Sequence, residues 1–212
     1  MILRVGPGLP RMTAPHTTQT ALLDLGAPAA TVAALAAQLS DDQLDHPTPC
    51  AGMDVAGLLA HLTGLSVAFR DAAAKVDGST TRTPPTSAPP VLPDDWRDQL
   101  PHRLAELAAA WRDPAAWQGT TVAGGIEMPG EVMGVVANDE LVLHGWDLAV
   151  STGQPYDVAA ANLAAAWQMV SSTPDDPAAR AGLFGPVVPV PDDAPLLDRV
   201  LGGAGRNPRW SP

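Results

Sequence analysis

Glu140 and His144 stand four residues apart, a spacing that on a helix turns about 40° and stacks both side chains on one face, one turn apart. Asp147 follows three residues later on the same stripe. A carboxylate and an imidazole side by side suit a metal ion, and such a stripe is costly to bury unsatisfied. Spacing alone is weak evidence, because 23 acidic residues in 212 give each histidine roughly a one-in-nine chance of an acid four positions earlier. Asp42 precedes His46 by four and Asp98 precedes His102 by four. His46 abuts Pro47 in a turn and His102 follows Pro101 near a helix start, so both read as solvated surface pairs.

His61 differs, because it shares its helix face with Gly57, Leu58, Leu65 and Ala68, small or apolar neighbours that point toward a core. A lone histidine on such a face reads as a buried side chain bonded to a backbone carbonyl. Two such helices packed side by side make a second reading: His61, Glu140 and His144 converge as two imidazoles and one carboxylate. That is the ligand set of open catalytic zinc sites, and nickel, cobalt or iron can load in its place. Cys50 has Pro49 and Ala51 as neighbours, which supply neither base nor cation to lower its pKa, and it reads as structural. Trp146 reads as core and Met133, on the ligand stripe, as a pocket wall.

These residues need helices to position them. A first helix is expected from about Asp24, with Pro28 in its first turn, Val32, Leu35 and Leu39 on one stripe, and stop signals in the HPTP run at 46–49. Asp54 is an N-cap for a second helix that carries His61 to about Arg70. Five prolines between 78 and 93 mark a loop, a connector rather than a lid. A third helix is expected over 94–112, with Trp96, Leu100, Leu104, Leu107 and Trp111 inward and Pro101 able to move its start later. Residues 117–128, with three glycines among β-tolerant side chains, read as a small hairpin or irregular insertion. The fourth helix, from Pro129 at its first position to Ser151, carries the chemistry and ends at Gly153. A fifth over 157–170 and a short turn over 196–201 flank an extended proline-rich C-terminal tail. The expected fold is all-α, a four-helix bundle with crossover loops.

The 12 Lys and Arg against 23 Asp and Glu give a net charge of -11, a field that repels phosphate backbones and anionic lipid, so neither nucleic acid nor membrane is an expected partner. One cysteine excludes an internal disulfide framework, a cysteine zinc cluster and a CxxC redox pair, and points to the cytoplasm. Residues 1–12 read as a flexible extension ahead of one domain over 13–212. Gly6, Pro7, Gly8 and Pro10 interrupt any signal-peptide apolar region, and no run is long enough to span a bilayer. Eleven arginines against the single Lys75 go with a GC-rich genome.

The stretch HPTPCAGMDVAGLLAHLTG from His46 and the later DELVLHGWDLAVSTGQ resemble the two signatures of the DinB-like superfamily. Within it they are similar to the metal-binding N-terminal domain of the mycothiol-dependent maleylpyruvate isomerase family and its single-domain relatives. The ending LFGPVVPVPDDAP, from Leu183, resembles those relatives too, so the likeness runs over about residues 24–209. It implies a four-helix bundle that holds one divalent metal, usually zinc, through His61, Glu140 and His144. Asp147, the acid of the HGWD motif, is then placed beside the metal, outside its ligands, as a base or substrate anchor. Met53 departs from the family's usual tryptophan, and the separate C-terminal domain of the full isomerase, which helps to build its substrate site, is not expected here.

The resemblance implies a metal-dependent thiol S-transferase or thiol-assisted isomerase, with mycothiol or a similar low-molecular-weight thiol as cosubstrate and a small electrophile as partner. The alternative is a non-enzymatic metal-binding module with a structural or sensing role. The His-Cys-Cys set of zinc-associated anti-sigma domains is missing from a chain with one cysteine. A homodimer stays open.

Overall fold

Asp24 opens the first helix of this computed structural model, which describes residues 22–84 and 91–212. Its Oδ1 accepts the Gly26 amide at 2.9 Å, and α1 (Gly26–Ala37) then buries Ala29, Val32, Leu35 and Ala36. The expected extension over 1–12 lies outside the described residues. Asp54 caps α2 (Val55–Ala73) by accepting the Gly57 amide at 2.8 Å, as the sequence predicts. The one-turn α3 (Ser79–Arg82) corrects part of the expected loop: Thr81 Oγ1 accepts the Gly78 amide at 3.2 Å and closes the turn before the prolines begin. Residues 85–90 of that segment lie outside the described ones.

α4 (Trp96–Ala110) contains Pro101 without moving its start, since the amides of Asp98 and Gln99 already bond to Asp95 O. Its inward face is the expected Trp96, Leu100, Leu104 and Leu107, with Trp111 just beyond. The excursion that follows is a true hairpin. β1 (Thr120–Ala123) pairs antiparallel with β2 (Ile126–Pro129), Thr121 opposite Met128. Gly124 and Gly125, at φ +58° and +79°, form the two-residue turn whose left-handed backbone suits the strand twist.

α5 (Gly130–Ser151) starts directly after Pro129, one residue later than expected, and is buried almost all round. Two cores explain why. Leu141 and Leu148 face α1, α2 and α4 with Val32, Leu58, Leu62 and Leu104. Val142, Leu143 and Trp146 face the other way, toward Ala166 and Val170 of α6 (Ala160–Ser172) and Val200 and Leu201 of α8 (Leu196–Gly203). α7 (Pro177–Arg180) is a single turn between them. Met133, expected on a pocket wall, lies 1% exposed in the first core, and Trp146 is core as predicted. Buried amides stitch α5 to α6, with Asn162 Nδ2 donating to Asn138 Oδ1 at 2.7 Å. Among the described residues the fold is thus mostly helical with one two-stranded sheet, and no helix is long and apolar enough to cross a membrane.

Candidate functional site

α2 and α5 pack side by side and bring His61 against the Glu140–His144 stripe. Glu140 Oε2 lies 3.4 Å from His61 Nε2 and 3.1 Å from His144 Nε2. One carboxylate oxygen therefore faces two imidazole nitrogens. His61 and Glu140 keep 19% and 32% of their side-chain surface in solvent while His144 keeps 9%, so the cluster is open on one side only. Behind His144, Asp147 Oδ2 accepts from Nδ1 at 2.9 Å. That bond keeps a proton on Nδ1 and aims Nε2 at Glu140.

Electrostatics follow from this geometry. Burial pushes Glu140 up, but hydrogen bonds from His144 and His61 outweigh it and hold the carboxyl well below the usual range. Burial opposes a charge on His144, yet Asp147 and Glu140 on its two nitrogens raise its pKa to about 9. Asp147 is wholly buried and still lowered, because His144 and Arg206 counter the cost of burial. Two lone-pair groups held this close need a shared cation between them, a proton or a metal.

The donor set fits a divalent metal. His61, Glu140 and His144 offer two nitrogens and one oxygen, all within 4.8 Å of one another. Ligands about 2.0–2.1 Å from a tetrahedral zinc stand about 3.3–3.4 Å apart, and the two carboxylate–imidazole distances, 3.1 and 3.4 Å, match that edge. All three residues singled out in the sequence meet here, and Asp147 meets them from behind.

His46 and His102 behave otherwise. His46 is not a solvated partner of Asp42; its Nδ1 lies 3.2 Å from Ser151 O and ties the loop before α2 to the end of α5. His102 is exposed as expected, but its partner is Glu106 at 3.2 Å, one turn ahead rather than behind. Cys50 stands closer to the site than its sequence neighbours suggest, with Sγ grouped within 4.8 Å of His144 and Asp147. Burial first, and then Asp147, push its thiol pKa up, so it is no activated nucleophile.

Sequence reasoning missed Arg206. Its Nη2 donates to Asp147 Oδ2 at 3.1 Å from just beyond α8. The available signal was the carboxylate itself: a buried Asp147 with no cation on its own helix face requires one from elsewhere in the chain.

Residues 25–149 match the sequence profile of the mycothiol maleylpyruvate isomerase N-terminal domain. The chain belongs to this family. An uncharacterized protein of Mycobacterium tuberculosis, found alike in strains CDC 1551 and H37Rv, is 29% identical over 184 residues, covering 84% of this chain and 92% of that protein. Two crystal structures of the mycothiol-dependent maleylpyruvate isomerase, one of them a histidine-to-alanine mutant, share its fold at 17% identity. Their TM-scores are 0.60 and 0.61, with 87% and 86% of this chain covered against 88% and 87% of theirs. The likeness of fold runs past the family segment and through most of the isomerase chain. His61 lies in the family segment on α2, and Glu140, His144 and Asp147 lie in it on α5; Arg206 lies beyond it.

Proposed function

We propose that this family member binds one divalent metal, most simply zinc, through His61, Glu140 and His144, and uses it in thiol-assisted isomerisation or thiol S-transfer. The observation that carries the reading is the convergence of His61 Nε2, Glu140 Oε2 and His144 Nε2 on one partly open point. Family membership supplies the thiol: mycothiol, or a close low-molecular-weight relative, is the proposed cosubstrate, and a small electrophile its partner. A metal bound there would lower the pKa of a coordinated thiol or water and hold it as a nucleophile at neutral pH.

The chain's own residues prepare that point. His144 presents Nε2 because Asp147 holds Nδ1, and Glu140 supplies the negative charge that favours a dication over a proton. His61, from the opposite helix, closes the set, and the solvent-facing edges of His61 and Glu140 leave the approach for the two small molecules. Asp147 is wholly buried behind His144, so its proposed part in turnover is exercised through that imidazole. The mutual packing of α1, α2, α4 and α5 supports the four-helix bundle expected from the sequence as the frame of this site.

The test is metal content of protein purified without chelator, followed by thiol consumption with a panel of electrophiles, metal-loaded against metal-free. One equivalent of metal and metal-dependent consumption are expected. Metal bound without any turnover above the metal-free control assigns the chain as a binding module instead.

A further inference from the structure

The Arg206 side chain is 11% exposed, and each of its three nitrogens makes one bond within the chain: Nη2 to Asp147 Oδ2 at 3.1 Å, Nε to Asp147 Oδ1 at 3.5 Å, and Nη1 to Ala204 O at 3.1 Å. A guanidinium with this many protein partners is not a free anchor for a substrate anion. The fork instead grips both oxygens of the carboxylate that orients His144, the planar two-point grip that arginine makes and lysine cannot. The backbone is built to deliver it. At the end of α8 the Arg206 amide bonds to Leu201 O, and Gly205 turns the chain at φ +86° against Gly185, where a Cβ would fall 2.7 Å from the Gly185 backbone.

We infer that Arg206 is a positioning residue of the metal centre, one that holds Asp147 in the rotamer that orients His144 and thereby makes the segment after α8 part of the site. The inference rests on the metal-binding reading above. A relay runs from Arg206 through Asp147 and His144 to the point shared with Glu140 and His61. Without the guanidinium, the carboxylate loses its only cation beyond His144 among the described residues and is free to rotate, and the imidazole loses its fixed orientation.

The experiment loads metal-free full-length protein with Zn2+ in competition with a chromogenic chelator and records the ligand-field spectrum of the Co2+-substituted form. Arg206→Gln is expected to weaken Zn2+ binding about tenfold to hundredfold, the range for outer-shell partners of metal ligands, and to change the Co2+ spectrum. Arg206→Lys should recover part of the affinity, since it restores charge without the fork. Arg199→Gln is the control: it removes a cation from α8 whose guanidinium lies 4.3 Å over the Trp167 ring, away from the site, and should bind metal as the wild type does. In an Asp147→Asn background the Arg206→Gln loss should disappear, because the relay is already cut.

Wild type that takes up no metal overturns the proposed function itself. Wild type that loads while Arg206→Gln and Arg206→Lys bind with unchanged affinity and spectrum overturns the inference alone. Equal losses in Arg206→Gln and Arg199→Gln overturn it too, as a general effect of charge on α8. If Arg206→Gln does not fold, Arg206→Lys and the double variant decide the question.

Discussion

The rings of His61 and His144 stand edge to face, centroids 4.9 Å apart and planes at 82°, with Glu140 Oε2 shared between their Nε2 atoms. Edge-to-face packing lets two side chains from different helices aim at one point without stacking. His144 is the more buried of the two and the only one braced from behind. His144→Ala therefore removes a ligand and takes from Asp147 one of its two side-chain partners, leaving Arg206. Zinc affinity should fall by more than about a hundredfold, beyond the loss that outer-shell changes bring. A His144→Ala protein that keeps full occupancy in a chelator competition would sink the ligand assignment. Metal bound only to the folded state stabilises it by about 2.7 kcal/mol at a hundredfold excess over Kd, so chelator should lower Tm in the wild type and leave the Tm of His144→Ala unmoved.

Asp147→Asn separates two roles for the HGWD acid. Asparagine keeps the volume and can still accept from His144 Nδ1, but it leaves the Arg206 guanidinium buried opposite a neutral group. Breaking a buried pair costs about 3–5 kcal/mol, and zinc affinity should drop about tenfold to hundredfold. Denaturant unfolding and metal titration on one preparation check both. Unchanged stability and metal content with turnover abolished would instead make Asp147 a residue in contact with substrate.

Gly134 tests the packing of α5 against two indoles. A Cβ there would lie 2.5 and 2.7 Å from the Trp117 ring and 2.9 Å from that of Trp111. Both indoles are pinned, Trp117 Nε1 donating to Trp111 O and Trp111 Nε1 to Phe69 O. Alanine gains about 1 kcal/mol in helix propensity, but overpacking costs about 1–3 kcal/mol and should win. Gly134→Ala is expected to lower Tm; an unchanged or raised Tm shows that the indoles move aside.

The helices and the three converging side chains His61, Glu140 and His144 were legible because their signals are local. Asp54 caps α2, apolar spacing defines the inward face of α4, and the four-residue step from Glu140 to His144 puts them on one stripe wherever α5 packs. What stayed hidden depends on contacts distant in sequence. Arg206 follows a glycine-rich helix end and announces nothing, and it is recognised only once α8 lies against α5. His46 looked solvated because its partner, Ser151 O, is 105 residues away. The α3 turn was masked by the prolines that follow it, although Gly78 and Thr81 close it locally.

Asp139 yields the last prediction, on the pH dependence of folding. It is 4% exposed, and its Oδ1 has no hydrogen-bond partner, one of few such buried atoms among the described residues. Burial, and then the neighbouring Glu140, raise its pKa to about 8, against the pull of Arg206 and His144. In the unfolded chain an aspartic acid ionises near pH 3.9. Between about pH 4 and 8 the folded state thus holds a proton that the unfolded state has lost, so stability falls as pH rises through that window and levels off above it. Asp139→Asn is neutral in both states and lacks this slope. In chelator-treated protein the variant should gain on the wild type steadily from pH 5 to 8, by on the order of a few kcal/mol, with little further gain at pH 9. Urea unfolding at those pH values measures the gap. Parallel stability curves for the two proteins would mean that Asp139 is ionised in the folded state and finds a partner there.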